Sequence, residues 1–96
     1  MTTGKLDFEG LAAFLLSRAN TLIPQWLPSG RQVGREWTCG SIHGDPGDSF
    51  KVNTETGFWA EFNNNQLAGR DLISLRAAQL GIDNGEAYKQ LAIFWR

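Results

Sequence analysis

The sequence predicts an α+β domain: an N-terminal helix, a small antiparallel sheet of about three strands, and two C-terminal helices. Three observations carry this. Apolar residues recur at helical spacing through the first twenty positions. The middle third changes to short β-prone runs bounded by glycine. The helical period then returns from Asp71 onward. At 96 residues the chain is expected to form one domain, residues 1–96. A domain of this size buries little more than ~60% of its unfolded surface, so its stability margin is thin. Four Trp and six Phe offer the bulk for a compact core.

Asp7 can cap the first helix, and Phe8, Leu11, Ala12, Leu15 and Leu16 form its apolar stripe. This helix is expected to end near Asn20. In LIPQWLPSG, Pro24 and Pro28 forbid continuation, so the segment reads as a connector packing Leu22, Ile23 and Trp26 inward. Arg31–Thr38 has the look of one strand or a short hairpin. Beyond the breaker-rich GSIHGDPGD, the runs SFKVN and FWAEF flank TETG and form a hairpin with a four-residue turn. Asp71–Leu80 is helical, with Gly81 as its C-cap. Asp83 or Asn84 caps a final helix whose inner side carries Ala87, Tyr88, Leu91, Ala92 and Trp95.

The formal net charge is −1. A free-standing, tight nucleic-acid binder carries a basic excess, because neutralising phosphates supplies most of its affinity. Any such binding here is therefore expected to be local and weak, or assisted by a larger assembly. No apolar run approaches the ~18 residues of a membrane span, and Leu11–Leu16 lacks the basic front of a signal peptide. One cysteine permits no internal disulfide. A soluble, cytoplasmic domain without a membrane partner is expected. The apolar ending Ile93-Phe94-Trp95-Arg96 points to a domain that continues into a longer protein.

The stretch WTCGSIHGDPGDSF holds the single cysteine and the single histidine, Cys39 and His43, four positions apart. A structural zinc site needs a second close pair of ligands beyond a hairpin. There the sequence reads EFNNN: Glu61 offers an oxygen and no second soft ligand follows. A site of three or four N and S ligands is thus excluded, and a Cys-His-Glu site with water would be weak. Without a metal, Cys39 reads as a small core residue at a strand end and His43 as a loop histidine. GDPGD lacks the Lys-Ser/Thr of a phosphate cradle and reads as a turn. Asp45 and Asp48 in that loop read as solvated. Cys39, His43 and Asp45 can be drawn as a nucleophilic triad, but no signature surrounds them, and no catalytic residue is assigned.

The order of EWTCGSIHGDPGDSFKVN, TGFWAEF and GRDLISLRAAQLG resembles the zinc ribbon at the N-terminus of DnaG-like, phage and plasmid primases and primase-helicases. The likeness spans about Gly34–Gly81. In that family a Cys-His pair is followed by Ser-Phe-x-Val, a Gly-x-Trp/Tyr-x-Cys-Phe-x-Cys hairpin and Gly-Gly-Asp-x-Ile-x-Leu. Cys39 and His43 match the first ligand pair. Glu61 and Asn64 stand where the third and fourth ligands would be, QLA is inserted before Gly69, and Arg70 replaces a glycine. The resemblance therefore implies a zinc-ribbon-like fold that has lost its metal, with Cys39 and His43 as a remnant pair and no cofactor. It further implies a non-catalytic accessory domain, aiding single-stranded template recognition in a DNA primase or primase-helicase of a phage or other mobile element. Its partners would be single-stranded DNA, held weakly, and replication proteins or the parent's catalytic domain.

With a four-residue turn, Asn53 faces Phe58 and Val52 faces Trp59. Alternation then places Phe50, Val52, Trp59 and Glu61 on one face, expected inside. Lys51, Asn53, Phe58, Ala60 and Phe62 fall on the other. A cation, an amide and aromatics together suit stacking of single-stranded bases. Arg31, Arg35, Lys51, Asn53, Phe58 and Arg70 are accordingly the candidate nucleic-acid contacts. The plainer reading buries Trp59 and Phe62 in the core, leaves Phe58 open between core and surface, makes Lys51 and Arg35 solvated charges, and pairs Arg70 locally with Asp71. Two other functions compete. The fold can serve as a protein-interaction or structural module that has lost DNA and zinc binding, or it can retain residual metal at Cys39 and His43.

Overall fold

A computed structural model describes residues 6–62, 67–93 and 95 of the chain. Within them lie α1 (Phe8–Ser17), α2 (Ala19–Trp26), β1 (Arg31–Val33), β2 (Glu36–Cys39), β3 (Phe50–Asn53), β4 (Trp59–Glu61), β5 (Ala68–Gly69), α3 (Leu72–Leu80) and α4 (Asn84–Ala92). The class is α+β. Among the described residues there are five strands rather than about three, and four helices rather than three.

The additional helix is α2, which runs through Pro24. The first helix stops earlier than its apolar pattern suggests. The Ser17 hydroxyl donates to the Phe14 carbonyl at 2.6 Å, the oxygen that the Arg18 N–H would otherwise take. Arg18 N–H turns instead to Leu15 O at 2.9 Å, and a new helix starts there. Pro24 costs α2 one backbone bond, to the carbonyl of exposed Asn20. Packing on both sides of it outweighs this loss. Ile23 and Leu27 are fully buried, and the Gln79 amide donates to the Trp26 carbonyl at 2.8 Å. Leu22 and Trp26 pack against the core, as the apolar pattern of the segment implies.

The strands form an antiparallel meander in the order β1-β2-β3-β4-β5. Of the two readings open for Arg31–Thr38, one strand or a short hairpin, β1 and β2 make the hairpin, with Val33 opposite Glu36 across Gly34-Arg35. β3 and β4 pair Phe50 with Glu61, Lys51 with Ala60 and Val52 with Trp59. β5 is two residues long and lies beside β4. A strand so short has no readable alternation, so the sequence alone does not reveal it.

α3 and α4 lie where their caps place them. Asp71 accepts from Ser74 N–H at 2.8 Å, and Asp83 accepts from Glu86 N–H at 2.8 Å. Gly81 ends α3 in the left-handed region at φ 72°, and Ile82 N–H returns to Ala77 O at 3.0 Å. Together with the Gly81 N–H bond to Ala78 O, this is a Schellman closure. The helices cover one face of the sheet. Phe50, Val52 and Trp59 from the strands join Leu11, Ile23, Leu72 and Leu75 in one core. No helix among the described residues is long and apolar enough to cross a membrane.

Candidate nucleic-acid interface

The β3–β4 hairpin has the two faces its alternation requires. Phe50, Val52, Trp59 and Glu61 are buried; Lys51, Asn53 and Ala60 are half-buried on the other side. Asn53 N–H donates to Phe58 O at 2.7 Å and closes the turn in the expected register. Paired residues of an antiparallel sheet share a face, so the row Arg31, Thr38, Lys51, Ala60, Ala68 crosses all five strands on the side away from the helices, with Thr38 buried within it.

Phe62 is the main correction on this face. It is 67% exposed rather than in the core, and Phe58 is 54% exposed. The reason is that the helical layer packs on the Phe50–Trp59 side, so among the described residues no helix covers the face Phe62 shares with Lys51. The two rings are four residues apart along the strand, or about 13 Å at the usual rise. Between them Ala60 and Ala68 keep the floor low. The result is a groove of about 470 Å³ lined by Glu36, Lys51, Asn53, Phe58, Phe62 and those alanines.

The six candidate contacts divide into two groups. Lys51, Asn53 and Phe58 line the groove. Arg70 stands beside it, with its guanidinium carbon 5.9 Å from the Phe58 ring centroid, near the outer limit of a cation–π contact. The expected pairing of Arg70 with Asp71 is not among the ion pairs of the described residues. Arg31 is on the edge strand β1, and Arg35 lies in the β1–β2 turn, where its carbonyl accepts from Thr54 N–H at 2.9 Å; each carries its own acid. Arg31 meets Asp48 at 2.7 Å and Arg35 meets Glu55 at 3.8 Å, both on the surface. Each of these exposed pairs is worth under ~1 kcal/mol, so a phosphate can displace the acid at small cost. Asp48 is thus a solvated loop acid, as expected, and also a surface ion-pair partner. Asn53 is half committed: its side-chain oxygen accepts from Glu55 and Thr56 N–H at 2.8 and 2.9 Å and shapes the turn. Glu36, opposite Asn53, places an acid in the groove. The β2–β3 register that puts it there is set across the loop from Cys39 to Phe50, whose pairing the local composition does not reveal.

Cys39 and His43 differ in their surroundings. Cys39 is fully buried and its thiol donates to Ser41 O at 3.2 Å, whereas His43 is exposed. Among the described residues no three His, Cys, Asp or Glu side chains come together to hold a metal ion. Asn64, at the fourth ligand position of the resemblance, lies outside the described residues. These residues do not fit a zinc site. Burial raises the Cys39 thiol above its ordinary value of 9.0, and the negative charges of Asp45 and Glu61 push the same way against the Ser41 hydrogen bond. The folded form therefore favours the protonated thiol. Its contribution to stability is full below the unfolded value and is lost as pH rises through the folded one. Cys39 is expected to resist a thiol-specific disulfide reagent at neutral pH and to react fully once the chain is unfolded in urea.

Glu61 has a different task from a ligand. It is 3% exposed, and its carboxylate accepts the Ile42 N–H at 3.0 Å. On the other side of the same residue, Gln79 donates to the Ile42 carbonyl at 3.1 Å. Ile42 itself is buried, so its loop is held to β4 and α3 at one residue. Neither Ile42 nor Gln79 stands out in the sequence, because each looks like an ordinary apolar or helix-surface position. Glu61→Ala leaves the buried Ile42 N–H without this acceptor. It is expected to lower stability by about 1–3 kcal/mol in urea titration, with Glu61→Gln milder because an amide oxygen still accepts.

No family model matches the chain, and neither a curated protein nor a solved structure matches it. The likeness to primase zinc ribbons accordingly rests on the order of motifs in the sequence, and the open groove rests on the fold.

Proposed function

We propose that this domain is a non-catalytic module that binds single-stranded DNA through the uncovered face of its sheet. We further propose that it serves a primase or primase-helicase type of replication protein by helping to hold template strand. The observation that carries the reading is the placement of two exposed rings, Phe58 and Phe62, along one groove with Lys51. Bases stack on such rings with little regard to sequence, while Lys51 and Arg70 supply charge for the backbone. The replication context is supported by the motif order from Glu36 to Gly81. A net charge of −1 and the groove acid Glu36 keep the binding weak.

The test is an NMR titration of the isotopically labelled chain with an oligothymidylate at low salt. Resonances of Lys51, Phe58, Ala60 and Phe62 are expected to shift together. The logarithm of the affinity should fall with the logarithm of salt by ~0.7 per phosphate contacted. Absence of any shift on this face at low salt overturns the reading. The second reading, a protein-interaction or structural module, is favoured by the ion pairs that occupy Arg31 and Arg35. It predicts that these same resonances respond to a downstream replication domain in solution and ignore the oligonucleotide.

A further inference from the structure

A second concavity lies in the helical layer and shares no lining residue with the sheet groove. It measures about 470 Å³, within the usual range of ligand pockets. Its apolar wall comes from Leu15 of α1, Leu22 and Trp26 of α2 and Leu91 of α4, beside Phe14. Two arginines complete it, Arg18 at the α1–α2 break and Arg76 on α3. Each guanidinium lies over a ring of the same pocket: Arg18 is 5.1 Å from the Phe14 centroid, and Arg76 is 4.9 Å from that of Trp26. Arg76 is further oriented by its bond to the Gln79 side-chain oxygen at 2.7 Å.

The charge of this pocket is one-sided. Among the described residues no Asp or Glu lines it. The ion pairs of the described residues are Arg31–Asp48 and Arg35–Glu55, so neither Arg18 nor Arg76 belongs to one. A guanidinium stacked on a ring keeps its edge N–H groups for an acceptor, and that planar fork suits a carboxylate. The apolar wall needs an aliphatic or aromatic side chain to cover it. A bare phosphate backbone matches the arginines but leaves the half-buried part of the wall, Phe14, Leu22 and Trp26, in water. We infer that this pocket is a docking site for an acidic peptide segment of a partner protein, with a Leu or Phe side chain entering between α1, α2 and α4 and flanking carboxylates meeting Arg18 and Arg76. The site is independent of the sheet face, so its test does not depend on DNA binding.

The probe is the blocked hexapeptide Asp-Glu-Leu-Phe-Asp-Glu, titrated into the labelled full chain. A saturable shift of the Trp26 indole and of the Leu22 and Leu91 methyls is expected, with a Kd below about 1 mM. Arg18→Gln, at an exposed position, should weaken binding about threefold to tenfold, and adding Arg76→Gln should weaken it again. Three controls decide the chemistry. A peptide with Lys at every acidic position, octanoate alone and oligothymidylate should each bind these residues at least tenfold more weakly. Equal binding by any of the three overturns the proposal, as does no shift with the acidic peptide. Unchanged affinity in Arg18→Gln overturns it too, and that variant decides alone if the double variant loses its amide dispersion.

Discussion

Trp59→Ala is expected to cost about 3–5 kcal/mol and to leave much of the population unfolded near room temperature. A chain of this length has total stability of roughly 5–14 kcal/mol, so one such loss removes a large share of it. The size of the effect follows from what the indole touches. Trp59 is 4% exposed and stacks on Phe50 with ring centroids 5.8 Å apart. Its N–H reaches Asp71 O and Ser74 Oγ, each at 3.1 Å, and so joins β4 to the first turn of α3. The same indole explains Gly69, its cross-strand partner: a Cβ there would come within 2.5 Å of the indole nitrogen. Trp59→Phe keeps most of the bulk and loses the N–H, and should cost about 1–2 kcal/mol. Urea midpoints followed by near-ultraviolet circular dichroism separate the two variants. A loss below about 1 kcal/mol in Trp59→Ala would show that the sheet–helix seam is held elsewhere.

Phe58→Ala and Phe62→Ala are expected to behave oppositely. Both rings are exposed, so each substitution should change stability by less than about 0.5 kcal/mol. If bases stack on them, each should weaken single-stranded DNA binding roughly fivefold to a hundredfold. Lys51→Ala, on the same face, should instead lower the salt slope by ~0.7. Fluorescence anisotropy with a labelled oligothymidylate at several salt concentrations reads both quantities. Wild-type affinity in the Phe58/Phe62 double variant would remove the platform, whatever the lysine does.

The contrast between these residues shows what could be read locally. The hairpin register followed from a four-residue turn and period-two alternation, both properties of contiguous residues. That register placed Trp59 with Phe50 and Val52, and Phe62 with Lys51. Gly81 and Asp83 likewise marked bounds of α3 and α4, because caps satisfy backbone groups within a few residues of themselves, whereas Asp71, expected as the first helical residue, is the N-cap of α3. The plainer reading buried Phe62 by packing the N-terminal helix over its face, but that face is not the one the helices cover. The alternation was the better guide.

Other features had no local signature. Pro24 sits inside α2 because Ile23 and Leu27 are buried by elements far along the chain, and Gln79 holds the end of that helix from 53 residues away. Glu61 stands at a ligand position of the family it resembles. Only the folded loop shows that its carboxylate binds the Ile42 N–H. Arg31 and Arg35 look like free cations until Asp48 and Glu55 are brought beside them. By itself the sequence determined the class, the hairpin register and the helix caps, since these depend on neighbours within about a turn or a strand pair. The tertiary structure decided which sheet face the helices cover and which charges meet, since both depend on where distant segments pack.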